Sequence, residues 1–139
     1  MIYFNNTTTY NFPNKKKLKK WLNSIITQER YSLGEVNFLF CDDNHLHKLN
    51  VEFLNHDTLT DILTFDYNVG RQVYADVCIS IERILDNAQQ HETTPSKELH
   101  RVMAHGILHL CGYTDLTKEE KNQMREKEDF YLSQLDFIQ

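Results

Sequence analysis

The run His-Gly-Ile-Leu-His-Leu-Cys-Gly-Tyr-Thr-Asp, residues 105–115, leaves this chain little freedom in its local folding. His105 and His109 are four residues apart, so a helix stacks their imidazoles one turn apart on one face. Gly112 ends such a helix, and a short turn brings Asp115 back toward the two rings. Two imidazole nitrogens and a carboxylate oxygen make a ligand set for one divalent metal ion, Zn²⁺ above all, with a coordination position left open. An open position belongs to a catalytic site rather than a closed structural one. The ordinary alternative is that both histidines bond backbone at the core edge and that Asp115 is a plain turn residue.

The flanking sequence supports this local fold. Thr94 and Pro95 read as a cap and a first helical position. Leu99, Val102, Met103, Ile107 and Leu110 form one wide apolar face, with both histidines at its edge and Glu98 on their side. Cys111 faces away from the ligands and reads as packing, and His100 points elsewhere on the wheel and reads as exposed. Thr117-Lys118-Glu119-Glu120 is a capping box that starts a last helix. The connection carrying Asp115 is therefore only Gly112 to Leu116.

Upstream, Ile2 to Asn5 reads as a short strand. Pro13 opens an amphipathic helix through Leu18, Trp21, Leu22, Ile25 and Ile26 to about Arg30. Gly34 opens a strand, Val36 to Cys41. Asp42-Asp43-Asn44 is a turn and cap for a short helix through Leu46, Leu49 and Phe53. Strands follow at Ile62–Phe65 and Val73–Ser80, separated by the turn Asn68-Val69-Gly70. A helix then runs from Ile81 to near His91. This order predicts an α+β (mixed α/β) domain, a small mixed four-stranded sheet with helices packed on it and a zincin-like metal helix.

At 139 residues the chain is one domain, 1–139, large enough to bury a core without staples. Cys41, Cys78 and Cys111 lie in apolar runs and read as reduced core residues of a cytoplasmic protein. No apolar run is long enough to span a bilayer, and the N-terminus does not read as a signal peptide. The net charge of −5 argues against a protein that coats nucleic acid by charge alone. Residues 13–30 nonetheless carry Lys15, Lys16, Lys17, Lys19, Lys20 and Arg30 against Glu29. A local basic face of this kind can meet phosphate, with Lys16 and Lys20 as candidate contacts, although each lysine also reads as part of a solvated helix face. Residues 115–139 hold four positive and seven negative charges, which makes the last helix a poor phosphate surface.

Gly106 narrows the chemistry. Zinc peptidases place a glutamate there as general base, in His-Glu-x-x-His. This chain lacks that base, so peptide hydrolysis is disfavoured. A mid-helix glycine costs about 1 kcal/mol relative to alanine and fits a site where substrate or an adjacent strand approaches closely. A bound metal would still lower the pKa of its water or polarise a phosphoryl oxygen, and no protein base is assigned.

His-Gly-x-Leu-His-Leu-x-Gly-Tyr (105–113) resembles the signature of the YbeY-type rRNA maturation factors, single-domain metal-dependent endoribonucleases of bacteria. Leu49-Asn50 through Thr60-Asp61-Ile62-Leu63-Thr64-Phe65 resembles that family's Leu-Asn and Thr-Asp-Val-Leu-Ser-Phe segment. Ala75-Asp76-Val77-Cys78-Ile79-Ser80 resembles its Gly-Asp-Ile-x-Ile-Ser strand. The resemblance implies a zinc-like metal, hydrolysis of single-stranded RNA, and processing of ribosomal RNA, particularly the 3′ end of the small-subunit RNA. It also implies ribosome quality control and partners on the small ribosomal subunit and among ribosome-associated GTPases.

The chain departs from the family pattern at two places. The family ends its motif on a third histidine, where this chain has Asp115. A carboxylate suits zinc but adds negative charge and makes the metal less electrophilic. The family also carries an arginine after the aromatic residue that follows Leu-Asn, where this chain has Leu54 after Phe53. Asn55 and His56 are nearby candidates for holding the phosphate, and Thr60 and Asp61 for lining the metal cleft if their strand runs beside the histidine helix. Either water or the RNA's own 2′-hydroxyl could attack. A metallohydrolase of another substrate, and a non-catalytic ribosome-assembly factor stiffened by metal, are the rival readings.

Overall fold

Alternation along the strands decides which face of the sheet carries the main core. The computed structural model describes residues 1–11, 14–54 and 60–135. Its elements are β1 (Ile2–Asn6), α1 (Lys15–Gln28), β2 (Ser32–Cys41), α2 (Asp43–Leu54), β3 (Ile62–Asp66), β4 (Gln72–Ser80), α3 (Ile81–Gln90), α4 (Pro95–Leu110) and α5 (Lys118–Leu132). Successive strand side chains point to opposite faces. Val36, Phe38 and Phe40 of β2 therefore share one face with Val73, Ala75, Val77 and Ile79 of β4, while Cys41 and Cys78 point to the other.

The four strands lie in the order β1-β2-β4-β3. β1 and β2 are parallel, β2 and β4 are parallel, and β3 runs antiparallel to β4 at one edge. This is the mixed sheet expected from the order of elements. The main core joins that sheet face to α1, α3, α4 and α5, and α2 closes a smaller cluster of Cys41, Leu46, Leu63 and Cys78 on the other face. α4 is the central helix, touching α1, α3, α5, β3 and β4. Met103, Ala104, Ile107 and Leu108 on it are fully buried. Each large apolar side chain of this kind contributes about 1.5–3 kcal/mol relative to exposure.

Three local expectations change. β2 begins at Ser32, before Gly34, because Ser32 and Leu33 already pair with Gln72 and Val73; the register slips between Leu33 and Glu35 in a bulge. Pro13 lies outside the described residues, and α1 starts at Lys15 behind Asn14, whose φ is 58°. His100 is half-buried rather than exposed. Its ring meets Trp21 at a centroid distance of 5.3 Å, and its Nδ1 lies 2.6 Å from the Ser96 carbonyl oxygen. A wheel of α4 alone could not show that α1 arrives to cover that side.

The cysteines match their reading as packing. All three are free and buried, and burial is the main cause that pushes the Cys41 and Cys111 thiols up to about 12 and the Cys78 thiol to about 11. No helix among the described residues is long and apolar enough to cross a membrane.

Candidate metal centre

α4 begins with Thr94, whose hydroxyl accepts from the Lys97 N–H, and Pro95 follows at the first helical position. It ends where Gly112 takes φ 99°, a conformation that a side chain rarely adopts. The reversal is closed by backbone bonds from Gly112 N–H to His109 O (3.1 Å) and from Tyr113 N–H to Leu108 O (3.0 Å). Asp115 is then held from both sides. Tyr113 donates its hydroxyl to Glu29 Oε1 at 2.8 Å. Thr114 donates to Glu120, and Thr117 and Glu120 form the reciprocal capping box that starts α5.

These constraints bring three donors together. Asp115 Oδ2 is 3.4 Å from His105 Nε2, and Asp115 Oδ1 is 3.4 Å from His109 Nε2. One ligand atom from each of the three residues lies within 4.8 Å of the others. Zinc bonds of about 2.0–2.1 Å at a tetrahedral angle place neighbouring ligands about 3.3–3.4 Å apart. Each imidazole therefore stands at ligand spacing from one Asp115 oxygen, and the three residues lie close enough together to share one small divalent ion. The side chains are 23%, 32% and 35% exposed for His105, His109 and Asp115, so the donors are reachable from solvent.

Glu128 of α5 sets the orientation of His105. Its Oε2 lies 2.7 Å from His105 Nδ1, and a carboxylate there accepts the Nδ1 proton, which makes Nε2, on the Asp115 side, the ring nitrogen available to a metal. Glu128 is itself buried, and its Oε1 accepts from Arg101 Nη1 at 3.0 Å. Arg101 also donates from Nη2 to Asp129 Oδ1 at 2.6 Å. Burial works to lower the His105 pKa, but the bond and charge of Glu128, with Asp115 and Asp61 behind it, outweigh burial and hold it above the ordinary value. Burial raises the Asp61 carboxyl, against the pull of its own backbone bond and of His105.

The resulting cleft, of about 290 Å³, is lined by His105 and Asp115 together with Asp61, Asn87, Arg125 and Glu128. Asp61 thus stands beside the metal-ligand candidates. Thr60 does not line the cleft, and its hydroxyl donates to Ile62 O at 3.4 Å, at the start of β3. Lys16 and Lys20 are exposed on α1 and neither borders the cleft. Asn55 and His56 lie outside the described residues. Gly106 faces the adjacent strand rather than substrate: a Cβ there would sit 2.9 Å from Ile62 Cδ1 and 3.5 Å from Thr64 Cγ2.

Sequence reasoning missed Glu128, Arg101 and Arg125. One signal for Glu128 was present, since it shares the buried stripe of α5 with Met124 and Tyr131. A carboxylate in an apolar stripe needs a buried partner.

The chain is similar to known proteins over nearly its whole length. The family model described as Endoribonuclease YbeY matches residues 3–136. The chain is 49% identical over 129 residues to the Endoribonuclease YbeY of Flavobacterium johnsoniae, covering 93% of each chain. It is 46% identical over 134 residues to that of Cytophaga hutchinsonii, covering 96% of this chain and 94% of the relative. The solution structure of TM1509 from Thermotoga maritima superposes with a TM-score of 0.67 at 29% identity, over 96% of this chain and 87% of that one.

Proposed function

The chain belongs to the endoribonuclease YbeY family, and on that premise we propose that it is a metal-dependent endoribonuclease acting on single-stranded RNA. Its role is the processing of ribosomal RNA, at the 3′ end of the small-subunit RNA, and ribosome maturation and quality control. His105, His109 and Asp115 hold the metal, which is zinc. The observation that carries this reading is the convergence of three donor residues, each imidazole 3.4 Å from an Asp115 oxygen, on the fold of a nuclease family. It works in the cytoplasm, with the small ribosomal subunit and a ribosome-associated GTPase as partners.

A divalent cation in this site supplies Lewis-acid polarisation of a phosphoryl oxygen and a more acidic bound water. The chain's own residues do the rest. Glu128 accepts the His105 Nδ1 proton and so keeps Nε2 free to coordinate. Asp115 adds a negative charge that makes the site bind cations better and lowers the electrophilicity of what it binds. Asp61 adds a further carboxyl beside His105. No side chain occupies the position of the peptidase base, because Gly106 packs on Ile62.

The test is cleavage of a single-stranded ribosomal RNA fragment by protein of known metal content. Chelation is expected to stop cleavage and zinc to restore it, and His109→Ala to lose metal and activity while keeping the fold. A 2′,3′-cyclic phosphate end would assign the attack to the RNA's own hydroxyl. Undiminished cleavage by metal-free His109→Ala protein would overturn the proposal.

A further inference from the structure

A second cavity of about 460 Å³ adjoins the cleft at the candidate metal centre, and four residues border both: His91, Glu98, Arg101 and Arg125. Three of the four already have partners. Arg101 is bonded to Glu128 and Asp129, and His91 Nδ1 lies 3.6 Å from Glu98 Oε1. Arg125 is exposed on α5 and, among the described residues, makes no hydrogen bond or ion pair. Of the carboxylates that border the same two cavities, Glu128 and Asp129 are bonded to Arg101.

An unpartnered guanidinium beside a metal site has a specific use. The donor set that attracts a cation also brings carboxylates, Asp61, Asp115 and Glu128, that repel an RNA backbone. A planar fork of N–H donors counters that repulsion and fixes a phosphate by two parallel bonds, which an ammonium cannot do. The second cavity, beyond the shared residues, has polar walls at Thr93, Lys97 and Ser133 and apolar ones at Leu132 and Leu135. Such a lining suits one nucleoside, with apolar contact for the base and polar contact for the sugar. It also gives this chain a cation that Leu54 does not supply.

We infer that Arg125 grips a backbone phosphate of the RNA at the mouth of the metal cleft, and that the adjoining cavity seats the neighbouring nucleotide. This rests on the nuclease reading above.

The test compares wild type with Arg125→Ala, Arg125→Lys and, as a charge control one turn earlier on α5, Lys121→Ala. Metal content and melting temperature are measured first and are expected to be unchanged in all three variants. Binding of a fluorescent single-stranded RNA oligonucleotide is then followed against salt, and cleavage against RNA concentration. Arg125→Ala is expected to lower kcat/KM about 10- to 100-fold, the scale of losing one charge-assisted contact to a bound phosphate. It is also expected to flatten the plot of log affinity against log salt by about 0.7, the increment for one phosphate contact on a single strand. Arg125→Lys should restore the slope and only part of the rate, and Lys121→Ala should match wild type. Wild-type behaviour of Arg125→Ala in an active enzyme would overturn the grip and leave the nuclease reading standing. A flattened slope in a protein that binds but never cleaves RNA would do the reverse. RNA that the wild type neither binds nor cleaves would contradict both.

Discussion

At the scale of single residues, two contacts carry the account of the site. Glu128 reaches His105 from 23 positions away in sequence, across the loop that also bears Asp115. Glu128→Gln keeps the volume but weakens the acceptor and removes one of the two charge partners of Arg101. Loss of an outer partner of this kind costs about 10–100-fold in metal affinity, and chelator competition on Glu128→Gln should read a loss in that range. An unchanged affinity would show that His105 needs no partner to be oriented. Gly106 offers a second test. Alanine there gains about 1 kcal/mol of helix propensity but pushes on Ile62. Ile62 Cδ1, at 2.9 Å, is the atom that stands closer than 3.0 Å to the new methyl. Gly106→Ala alone should therefore stabilise by less than that, because the tip of Ile62 must turn aside, and in an Ile62→Val background it should add about 1 kcal/mol by urea titration. Equal effects in the two backgrounds would contradict strand contact as the reason for the glycine.

At the scale of elements, α1, the ligand loop and α5 meet at one carboxylate. Glu29, just past the end of α1, accepts from Tyr113 of the loop and from Tyr131 and Lys127 of α5. Burial works to raise its pKa, but the donors of Tyr131, Tyr113 and Lys127 outweigh burial and hold it below the ordinary carboxylate value. A folded pKa below the unfolded one stabilises the native state above the unfolded value, and the contribution disappears as pH falls through the folded value. Glu29→Gln should therefore be less stable than wild type at neutral pH, with the gap narrowing below about pH 4.5. Urea titrations across pH measure it, and a gap constant from neutral to strongly acid pH would sink the assignment. The start of α5 depends on Thr117, whose hydroxyl accepts from the Glu120 N–H at 3.1 Å while Glu120 bonds back. Thr117→Ala should cost about 1 kcal/mol of stability.

At the scale of the whole molecule, what the sequence made legible was whatever depends on local period. The nine elements among the described residues appear in the expected order, because alternation and helical spacing are properties of neighbouring residues. The pairing of β2 with both β1 and β4 is not local, and neither is the cover that α1 gives His100. The histidine pair and Asp115 were readable because Gly112 makes their meeting a matter of one short turn. Glu128 was not, since its role depends on how α5 docks on α4. Arg125 was hidden differently: the net acidity of its helix is an average, and a single position facing the cleft does not show in an average.

The most direct measurement is the metal content of purified protein by elemental mass spectrometry, wild type against Asp115→Ala. Near-stoichiometric zinc in wild type, lost in the variant with the melting transition still cooperative, is the expected result. Wild-type protein that takes up no divalent metal even when it is supplied would contradict the account, and would make the two histidines and the aspartate structural residues.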